Sequence, residues 1–270
     1  MSNPITSLTK KEWGIWMGAL LVIVVSNIFS ANFNALTLVA SCVGVTSLII
    51  AAKGNVWSQI LMILFSILYG IISWQFHYWG EMMTYLGMTM PMAVWSTITW
   101  IRNPSESGKE VEIQQLTKKH VFLLVSSTTV ITILFFKILA VLETPNIVFS
   151  TISITTSFLA ASLTMLRSSY YAVGYAANDI VLIVLWIMAT IKDPSYFSVM
   201  IIFTIFFFFD LYGFISWRKR DVENVNEREQ AIFFWQAIIS RRNKIACSLF
   251  VNIPFSRKRM IKTVLQIFLW

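Results

Sequence analysis

Two aspartates, Asp179 and Asp210, lie within long apolar stretches of the sequence, and Asn178 directly precedes the first of them. A carboxylate at the centre of a bilayer costs roughly 3 kcal/mol or more, so acidic residues there usually face a bundle interior or a water-filled cavity. Such a carboxylate can bind a cation or a proton, and an Asn side chain can donate and accept hydrogen bonds. The three residues are therefore the first candidates for a functional site.

Two carboxylates inside a membrane could also belong to an intramembrane aspartyl protease. Neither Asp179 nor Asp210 has a Gly directly beside it, as a protease motif of that kind would require. The two histidines, His77 and His120, are far apart, and the two cysteines have no metal or disulfide spacing. We expect no enzyme activity, no metal, no cofactor and no nucleic-acid partner, while a receptor or structural membrane protein stays open.

The composition indicates the class of protein that must position these side chains. Hydrophobic residues make up 57% of the chain, charged residues only 13%, and the mean hydropathy is +0.70. Soluble domains contain about 25% charged residues. The sequence therefore predicts an all-α polytopic membrane protein that lies in a lipid bilayer.

Apolar stretches long enough to span the hydrocarbon core, about 20 residues each, predict eight transmembrane helices. We interpret the first as a retained helix, because no convincing cleavage site follows it. Lys and Arg cluster before helix 1, in every second loop and after helix 8, which predicts that both termini are cytoplasmic. The predicted spans are 13–30, 34–52, 57–76, 80–101, 119–142, 147–166, 170–191 and 195–217.

An internal similarity predicts how the helices are grouped. In it Trp100 matches Trp217, and each is followed by a basic cluster. Helices 2–4 and 6–8 would then be parallel three-helix repeats separated by helix 5, a plan that places a substrate between the halves of a transporter. The matched stretches are ILFSILYGIISW (63–74) with GYAANDIVLIVLW (174–186), and VWSTITWIRN (94–103) with LYGFISWRKR (211–220).

The repeat predicts how the chain divides into parts, and it also distinguishes the Asn178–Asp179 pair from the matching residues of the other half. Trp74 matches Trp186, which sets Ser66 against Asn178, so only one half contains an Asn-Asp pair. An asymmetric ligand explains this better than packing shared by both halves. The predicted parts are an N-terminal transmembrane helix (1–32), a first repeat (33–101), a loop and linker helix (102–146), a second repeat (147–217) and a basic tail (218–270).

Several ordered strings within residues 33–217 resemble the PnuC family of bacterial vitamin transporters. They are FNALTLVASCVGVTSLIIAAKGN, QILMILFSILYGIISW, YWGEMMTYLGMTMPMAVW, YAANDIVLIVLW and DLYGFISW. The resemblance implies a three-plus-one-plus-three core like that of the SWEET sugar transporters, a homotrimer, and a bacterial cytoplasmic (inner) membrane location. It also implies facilitated diffusion of nicotinamide riboside, trapped by phosphorylation for NAD synthesis, with thiamine or another vitamin as the alternative substrate.

One departure concerns the residues that hold the vitamin. Many members of the family have a Trp-x-x-Trp pair shortly before the Asn of helix 7, where this chain has Tyr171 and Gly174. If those tryptophans stack on the vitamin, this protein must stack it differently.

Nicotinamide riboside has a positively charged ring and several hydroxyls, so its site should combine carboxylates, aromatic faces and amide groups. Residues three or four apart share a helix face, and we expect such faces of several helices to converge. Asn178 would contact the ribose and Asp179 would balance the charge, although a role in joining helices stays open for both aspartates. The predicted substrate-binding residues are Asn178, Asp179, Tyr175, Trp186, Ser66, Tyr69, Trp74, Glu81, Tyr85, Thr89 and Asp210.

A proline, four tryptophans and the tail, all outside the site, lead to further expectations. Pro91 predicts a kink in helix 4, and four tryptophans near span ends predict membrane-interface anchors. In the tail, 226–244 can form a cationic amphipathic helix on an anionic leaflet, and 257–270 is basic and apolar, while a disordered tail stays open. The four tryptophans are Trp57, Trp95, Trp100 and Trp217.

Overall fold

The computed structural model describes residues 3–29, 33–75, 79–105, 108–144 and 146–251. In these ranges the regular structure is helical, apart from one isolated bridge between Pro104 and Val111. The prediction of an all-α fold is confirmed. The chain divides into a body, Met1–Lys219, and a second unit, Arg220–Trp270.

Most helix boundaries follow the predicted spans, because the breaks contain the polar and turn-forming residues, but the last helix continues past its predicted end at residue 217. The helices are α1 (Lys10–Ile28), α2 (Ala35–Ala52), α3 (Trp57–Gln75), α4 (Trp79–Thr84), α5 (Met90–Arg102), α6 (Lys118–Val141), α7 (Ile147–Met165), α8 (Tyr171–Lys192) and α9 (Phe197–Val251). Among the described residues, seven helices are long and apolar enough to cross a membrane, namely α1–α3 and α6–α9. The tail segment 226–244 is helical within α9, whereas 257–270 lies outside the described residues.

The predicted fourth span is a helix with an irregular turn in its middle. A π-helical segment, Tyr85–Thr89, joins α4 to α5, and the amide of Met90 bonds to the carbonyl of Tyr85. Pro91 lies in the first turn of α5, where its missing amide hydrogen removes little hydrogen bonding. The kink predicted at Pro91 stays a prediction, and the irregular turn of this span lies just before that residue. Such π turns often occur at functional sites.

At one end of the body, two tryptophans each donate a hydrogen bond to the end of a helix that belongs to the other predicted repeat. The indole of Trp100 on α5 donates to the carbonyl of Thr164 on α7 over 2.9 Å. The indole of Trp217 on α9 donates to the carbonyl of Ala51 on α2 over 2.8 Å. Each acceptor lies in the last turn of its helix, where carbonyls lack an intrahelical partner. We call this end of the body the tryptophan end.

Burial of this pair corrects one sequence expectation. Trp100 and Trp217 are 1% and 0% exposed, and their ring centroids are 5.5 Å apart. Interface anchoring is therefore wrong for these two, because their N–H groups find partners between helices. Trp57 and Trp95 are 39% and 61% exposed.

The loop between α5 and α6 connects the ends of α2 and α7. The amide of Val111 donates to the carbonyl of Gly54 over 2.9 Å, and that of Gln114 to the carbonyl of Arg167 over 3.0 Å. Gly54 and Arg167 both have positive φ, 67° and 55°, just after a helix end. The guanidinium of Arg167 also bonds to the Gln114 side chain at 2.9 Å. The loop thus bridges equivalent turns of the two predicted repeats.

The first helix is linked to the end of α2 and to α9 at the same end of the body. Glu12 of α1 forms an ion pair of 2.6 Å with Lys53 and accepts a hydrogen bond from Tyr212 of α9. The other carboxylate oxygen of Glu12 accepts a hydrogen bond from the backbone amide of Thr9, the residue that caps the helix. A buried carboxylate needs such partners, so this cluster explains how an acidic residue is accommodated in α1.

Candidate functional site

A small cavity of about 40 Å³ lies among α2, α3, the π segment, α7, α8 and α9. It brings together residues that the sequence analysis selected from three separate stretches. Three come from α8, two from the turn region before α5, and one from α9. They are Tyr175, Asn178, Asp179, Tyr85, Thr89 and Asp210.

Asn178 is held by hydroxyl groups of the neighbouring helix. Its Oδ1 accepts hydrogen bonds from Ser153 at 3.1 Å and from Thr156 at 3.0 Å, both on α7. These bonds orient the amide and use only its oxygen. The two Nδ2 hydrogens can therefore donate to a ligand in the cavity.

Close packing of α7 and α8 makes these bonds geometrically feasible. A Cβ atom at Gly174 would lie 2.8 Å from Cα of Ala160. Only glycine allows the two backbones to approach this closely, as in small-residue contacts between membrane helices. The glycine one turn before Asn178 therefore helps to place the amide within reach of α7.

Asp179 on α8 and Asp210 on α9 line the same small cavity. Asp179 is 4% exposed and Asp210 is 3% exposed. Phe206 and Phe203 lie one and two turns before Asp210 and also line the cavity. The acidic pair is thus set in a largely apolar wall.

Aromatic rings form another wall of the site. Tyr85 lies 4.5 Å from Tyr69 and 5.8 Å from Phe65, measured between ring centroids. The hydroxyl of Tyr69 donates to Glu81 at 3.0 Å. Glu81 therefore helps to hold the tyrosine cluster in place. Glu81 also lines two neighbouring cavities.

Two further cavities adjoin the small one. The larger, about 280 Å³, shares Tyr85 and Ser157 with it and extends past Glu81 to Asn146 and Lys192. The other, about 70 Å³, lies among α1, α2, α3 and α9 and shares Phe65, Phe203 and Phe206 with it.

Trp186 stands between the two adjoining cavities and lines both. Its ring is nearly parallel to that of Phe203, with an interplanar angle of 9° and centroids 6.4 Å apart. Tyr196 packs on it at 5.5 Å. The tryptophan is therefore an aromatic surface beside the small cavity, not part of its lining.

Two predicted residues lie outside these three cavities. The hydroxyl of Ser66 bonds to the Met62 carbonyl of its own helix at 2.8 Å, and Trp74 is 60% exposed. Trp74 is five positions beyond Tyr69, which turns its side chain by about 140° around the helix. The match of Ser66 with Asn178 and of Trp74 with Trp186 therefore does not extend to the site.

The sequence analysis missed the contribution of α7. Ser153 and Thr156 hold Asn178, and Ser157 lines the small and the large cavity. A signal was present in the stretch STISITTS (150–157), where hydroxyl residues recur at helical spacing within an apolar span. Among the described residues, no three His, Cys, Asp or Glu side chains come together as a metal site.

The sequence model of a family described as "Nicotinamide mononucleotide transporter" matches residues 34–219, more than two thirds of the chain. The chain belongs to this family. The predicted PnuC resemblance is thereby confirmed. The seven long apolar helices found among the described residues, together with membership of a transporter family, make the chain a membrane protein.

Named relatives of this transporter family member are similar over most of the chain. A "Nicotinamide riboside transporter PnuC" of Neisseria mucosa is 24% identical over 67% of this chain and 71% of that protein. One of the same name from Haemophilus influenzae is 21% identical over 76% and 88%. A solved structure titled "Crystal structure of the Vitamin B3 transporter PnuC" has a TM-score of 0.68 and 22% identity, covering 78% of this chain and 92% of that one. The fold is therefore that of this transporter family.

The departure from the Trp-x-x-Trp pair has a structural basis in this transporter family member. Tyr171 packs against Trp217 at 4.7 Å, at the tryptophan end, and does not line the small cavity. Gly174 is closed off by Ala160, so a larger side chain there would separate α7 from α8. The aromatic residues at the cavity are instead Tyr85, Tyr175 and three phenylalanines.

Proposed function

We propose that this protein takes up nicotinamide riboside across the bacterial cytoplasmic membrane by facilitated diffusion. Two relatives are named as transporters of that compound. The observation that carries the proposal is the small cavity itself, where a carboxyl pair, an oriented amide and aromatic rings meet inside a transporter fold. Phosphorylation inside the cell would trap the product for NAD synthesis.

The proposed substrate site places complementary groups around each part of the vitamin. Asp179 and Asp210 lie where they can balance the pyridinium charge, and Tyr85 and Tyr175 can contribute cation–π contacts of about 0.5–2 kcal/mol each. Asn178 can donate to ribose hydroxyls. Ligand pockets typically measure about 300–1,000 Å³, so the substrate would extend from the small cavity into the 280 Å³ cavity that shares Tyr85 and Ser157.

The remaining predicted residues take outer positions in this site. Tyr69 and Glu81 support the tyrosine wall, and Trp186 provides an aromatic face in the adjoining cavity. Ser66 and Trp74 are left without a proposed contact with the substrate.

The orientation proposed for the protein follows from the charges. With Lys53, Arg102 and Arg167 on the cytoplasmic side, the tryptophan end faces the cytoplasm, as do both termini. The large cavity, lined by Asn146 and Lys192, would then be the outer entrance. In this arrangement the buried Trp100–Trp217 pair closes the cytoplasmic side.

We also propose the finer architecture of eight spans with parallel repeats. The continuous helical run α4–π–α5 serves as the fourth span, and α6 is the linker. The reciprocal bonds of Trp100 and Trp217 support a two-fold relation between the repeats. A homotrimer is proposed from the family resemblance, and α6, which exposes most of its apolar side chains, is available to lipid or to another subunit.

Calorimetry on the purified protein tests the substrate. Nicotinamide riboside, its mononucleotide, thiamine and riboflavin are titrated separately, and the riboside is expected to bind tightest. Thiamine is the second candidate, because it is also an aromatic cation and the usual tryptophan pair is absent. Binding of riboflavin alone would contradict the proposal.

A further inference from the structure

We propose that Glu12 of α1 holds one contact between the two predicted halves closed, so that the tryptophan end opens at the other contact. Glu12 is then a positioning residue for transport, since it does not line the small cavity. The inference rests on the proposed function and goes beyond it, because it assigns the helices between which the substrate passes.

The first of these contacts, which we call the first seam, joins α2 to α9. The indole of Trp217 donates to the Ala51 carbonyl at 2.8 Å, and the hydroxyl of Ser216 donates to the Ala52 carbonyl at 2.8 Å. Both acceptors lie in the last turn of α2. Two neighbouring residues of one predicted half thus hold the end of a helix in the other half.

The second seam joins α5 to α7 by the same pair of bonds. Trp100 donates to the Thr164 carbonyl at 2.9 Å, and Thr99 donates to the Met165 carbonyl at 3.2 Å. Thr99 and Trp100 are the residues that the predicted repeat sets against the two donors of the first seam. These bonds to carbonyls therefore do not distinguish one seam from the other.

Glu12 adds a charged link to the first seam. Its carboxylate forms the 2.6 Å ion pair with Lys53, the residue after α2, and accepts a hydrogen bond from Tyr212, one turn before the donors on α9. Glu12 is 3% exposed. Separating α2 from α9 takes one partner away from a buried charge, which is costly. The first seam therefore resists opening.

The second seam has apolar residues where the first has Lys53 and Tyr212. Leu166 is the residue after α7, as Lys53 is the residue after α2. Matching the two buried tryptophans sets Trp95 against Tyr212, and Trp95 is 61% exposed. The residue after Leu166 is Arg167, which bonds to a carbonyl and a side-chain amide of the loop between α5 and α6. The corresponding positions of the second seam thus cannot form the ion pair found at the first.

The helix α6 is the counterpart of α1 in the other half. Both begin with Thr-Lys-Lys, at 9–11 and 117–119, and each threonine caps its helix in a capping box. The helix α1 packs on α2, as α6 packs on α7. His120 takes the place of Glu12, and its imidazole accepts from the amide of Thr117 within the box. Glu12 does the same with one oxygen and has a second oxygen for the seam.

This asymmetry decides where the tryptophan end opens. Alternating access moves one repeat against the other around a fixed site, so contacts between the halves must separate at the end that opens. The seam without the charged link separates at lower cost. The substrate therefore passes between α5 and α7, while α1, α2 and α9 stay together.

Cysteine labelling at matched positions tests which seam opens. Thr99→Cys and Ser216→Cys are each made in the full-length protein with Cys42→Ala and Cys247→Ala, and both positions are half-buried. A small charged thiol reagent is added in lipid nanodiscs with nicotinamide riboside, where both ends contact the same solution. The Thr99→Cys variant should react at least about tenfold faster than the Ser216→Cys variant, because labelling follows the population in which the seam is open.

Adding Glu12→Gln to each variant tests the residue itself. Glutamine keeps the size but loses the charge, so labelling of the Ser216→Cys variant should become at least about tenfold faster, while that of the Thr99→Cys variant stays unchanged. Riboside binding, measured by calorimetry, should remain within about twofold of the wild type, because Glu12 is remote from the site. The exposed Glu143→Gln is the matched control and should leave both labelling rates as they were.

Equal labelling at the two seams, or a Glu12→Gln variant that labels like its parent, would overturn the inference. If Glu12→Gln does not fold, Tyr212→Phe decides, because it removes only the hydroxyl that reaches Glu12; it should speed labelling at Ser216→Cys alone, and an unchanged rate would count against the lock. Wild-type protein that shows no counterflow of nicotinamide riboside would refute the proposed function and the inference with it, whereas the labelling results leave that function intact.

Discussion

At the scale of single residues, the site depends on side chains whose orientation is set by a neighbour. Asn178 is the clearest case, because two hydroxyls of α7 hold its oxygen and leave its nitrogen for the cavity. Asp179 and Asp210 are buried and line the same cavity. Polar groups of this kind are expensive to bury unless they are bonded, so their partners determine which atoms face a substrate.

Replacing Asn178 by Ala should abolish detectable binding of nicotinamide riboside, because the amide donors are lost and two hydroxyls lose their acceptor. The loss should exceed about a hundredfold, the range seen when a site keeps buried polar groups unpaired. Calorimetry measures the binding, and thermal unfolding in detergent should show that the variant is folded.

Ser66→Ala is the matched control for Asn178→Ala, since the repeat pairs the two positions. The Ser66 hydroxyl bonds only to its own helix and lies outside the cavities, so binding should be unchanged. An equal loss in both variants would contradict the site described here.

At the scale of helices, close approach at glycine and irregular turns place the side chains. The π segment between α4 and α5 brings Tyr85 and Thr89 to the cavity, and Gly174 brings α8 against α7. Both features depend on the backbone more than on the chemistry of side chains.

Gly174→Ala should destabilise the protein by about 1–3 kcal/mol, the usual cost of overpacking. The new Cβ would meet Cα of Ala160 at 2.8 Å, and backbone cannot move aside as a flexible side chain can. Gly87→Ala is the control, because its Cβ would meet no atom within 4 Å. Thermal unfolding of both variants measures the difference, and equal stability would show that α7 and α8 are not in close contact.

The loop between α5 and α6 should loosen when its link to α7 is removed. Arg167→Gln deletes the guanidinium that reaches the Gln114 side chain and the Glu112 carbonyl. We expect faster amide hydrogen exchange at Val111 and Gln114, while Lys118→Gln, at the exposed start of α6, should leave these amides unchanged. Unaltered exchange in the Arg167 variant would mean that the backbone bonds alone hold the loop.

At the scale of the whole molecule, the two predicted halves meet through reciprocal contacts at the tryptophan end. Trp100 bonds to the end of α7 and Trp217 to the end of α2. The large cavity lies toward the loops at the other end.

Trp100→Phe and Trp217→Phe should each lower the free energy of unfolding by about 1–3 kcal/mol, because a buried carbonyl loses its donor. Equal effects are expected if the halves are related by two-fold symmetry. Trp95→Phe, at an exposed ring, serves as the control. Chemical unfolding in detergent gives the values, and a large effect in one variant alone would argue against the symmetry.

Transport itself should need no ion gradient. Counterflow of labelled nicotinamide riboside in proteoliposomes of equal ionic composition inside and outside should proceed with the wild type and fail with Asn178→Ala. Exchange that appears only when a proton or sodium gradient is imposed would contradict facilitated diffusion.

The sequence by itself determined the membrane class, the helical segments, the family and the unusual polar residues Asn178, Asp179 and Asp210. Each depends on composition or on local pattern, and a charge within an apolar span stands out without knowledge of its neighbours. Only the tertiary structure decided that Ser153 and Thr156 hold Asn178, that the two aspartates line one cavity, and that two tryptophans are buried. These facts could not be read from the sequence, because helical periodicity tells which residues share a face but not which other helix that face meets. Membrane helices that are apolar all round give little further indication, since lipid and protein neighbours favour similar side chains.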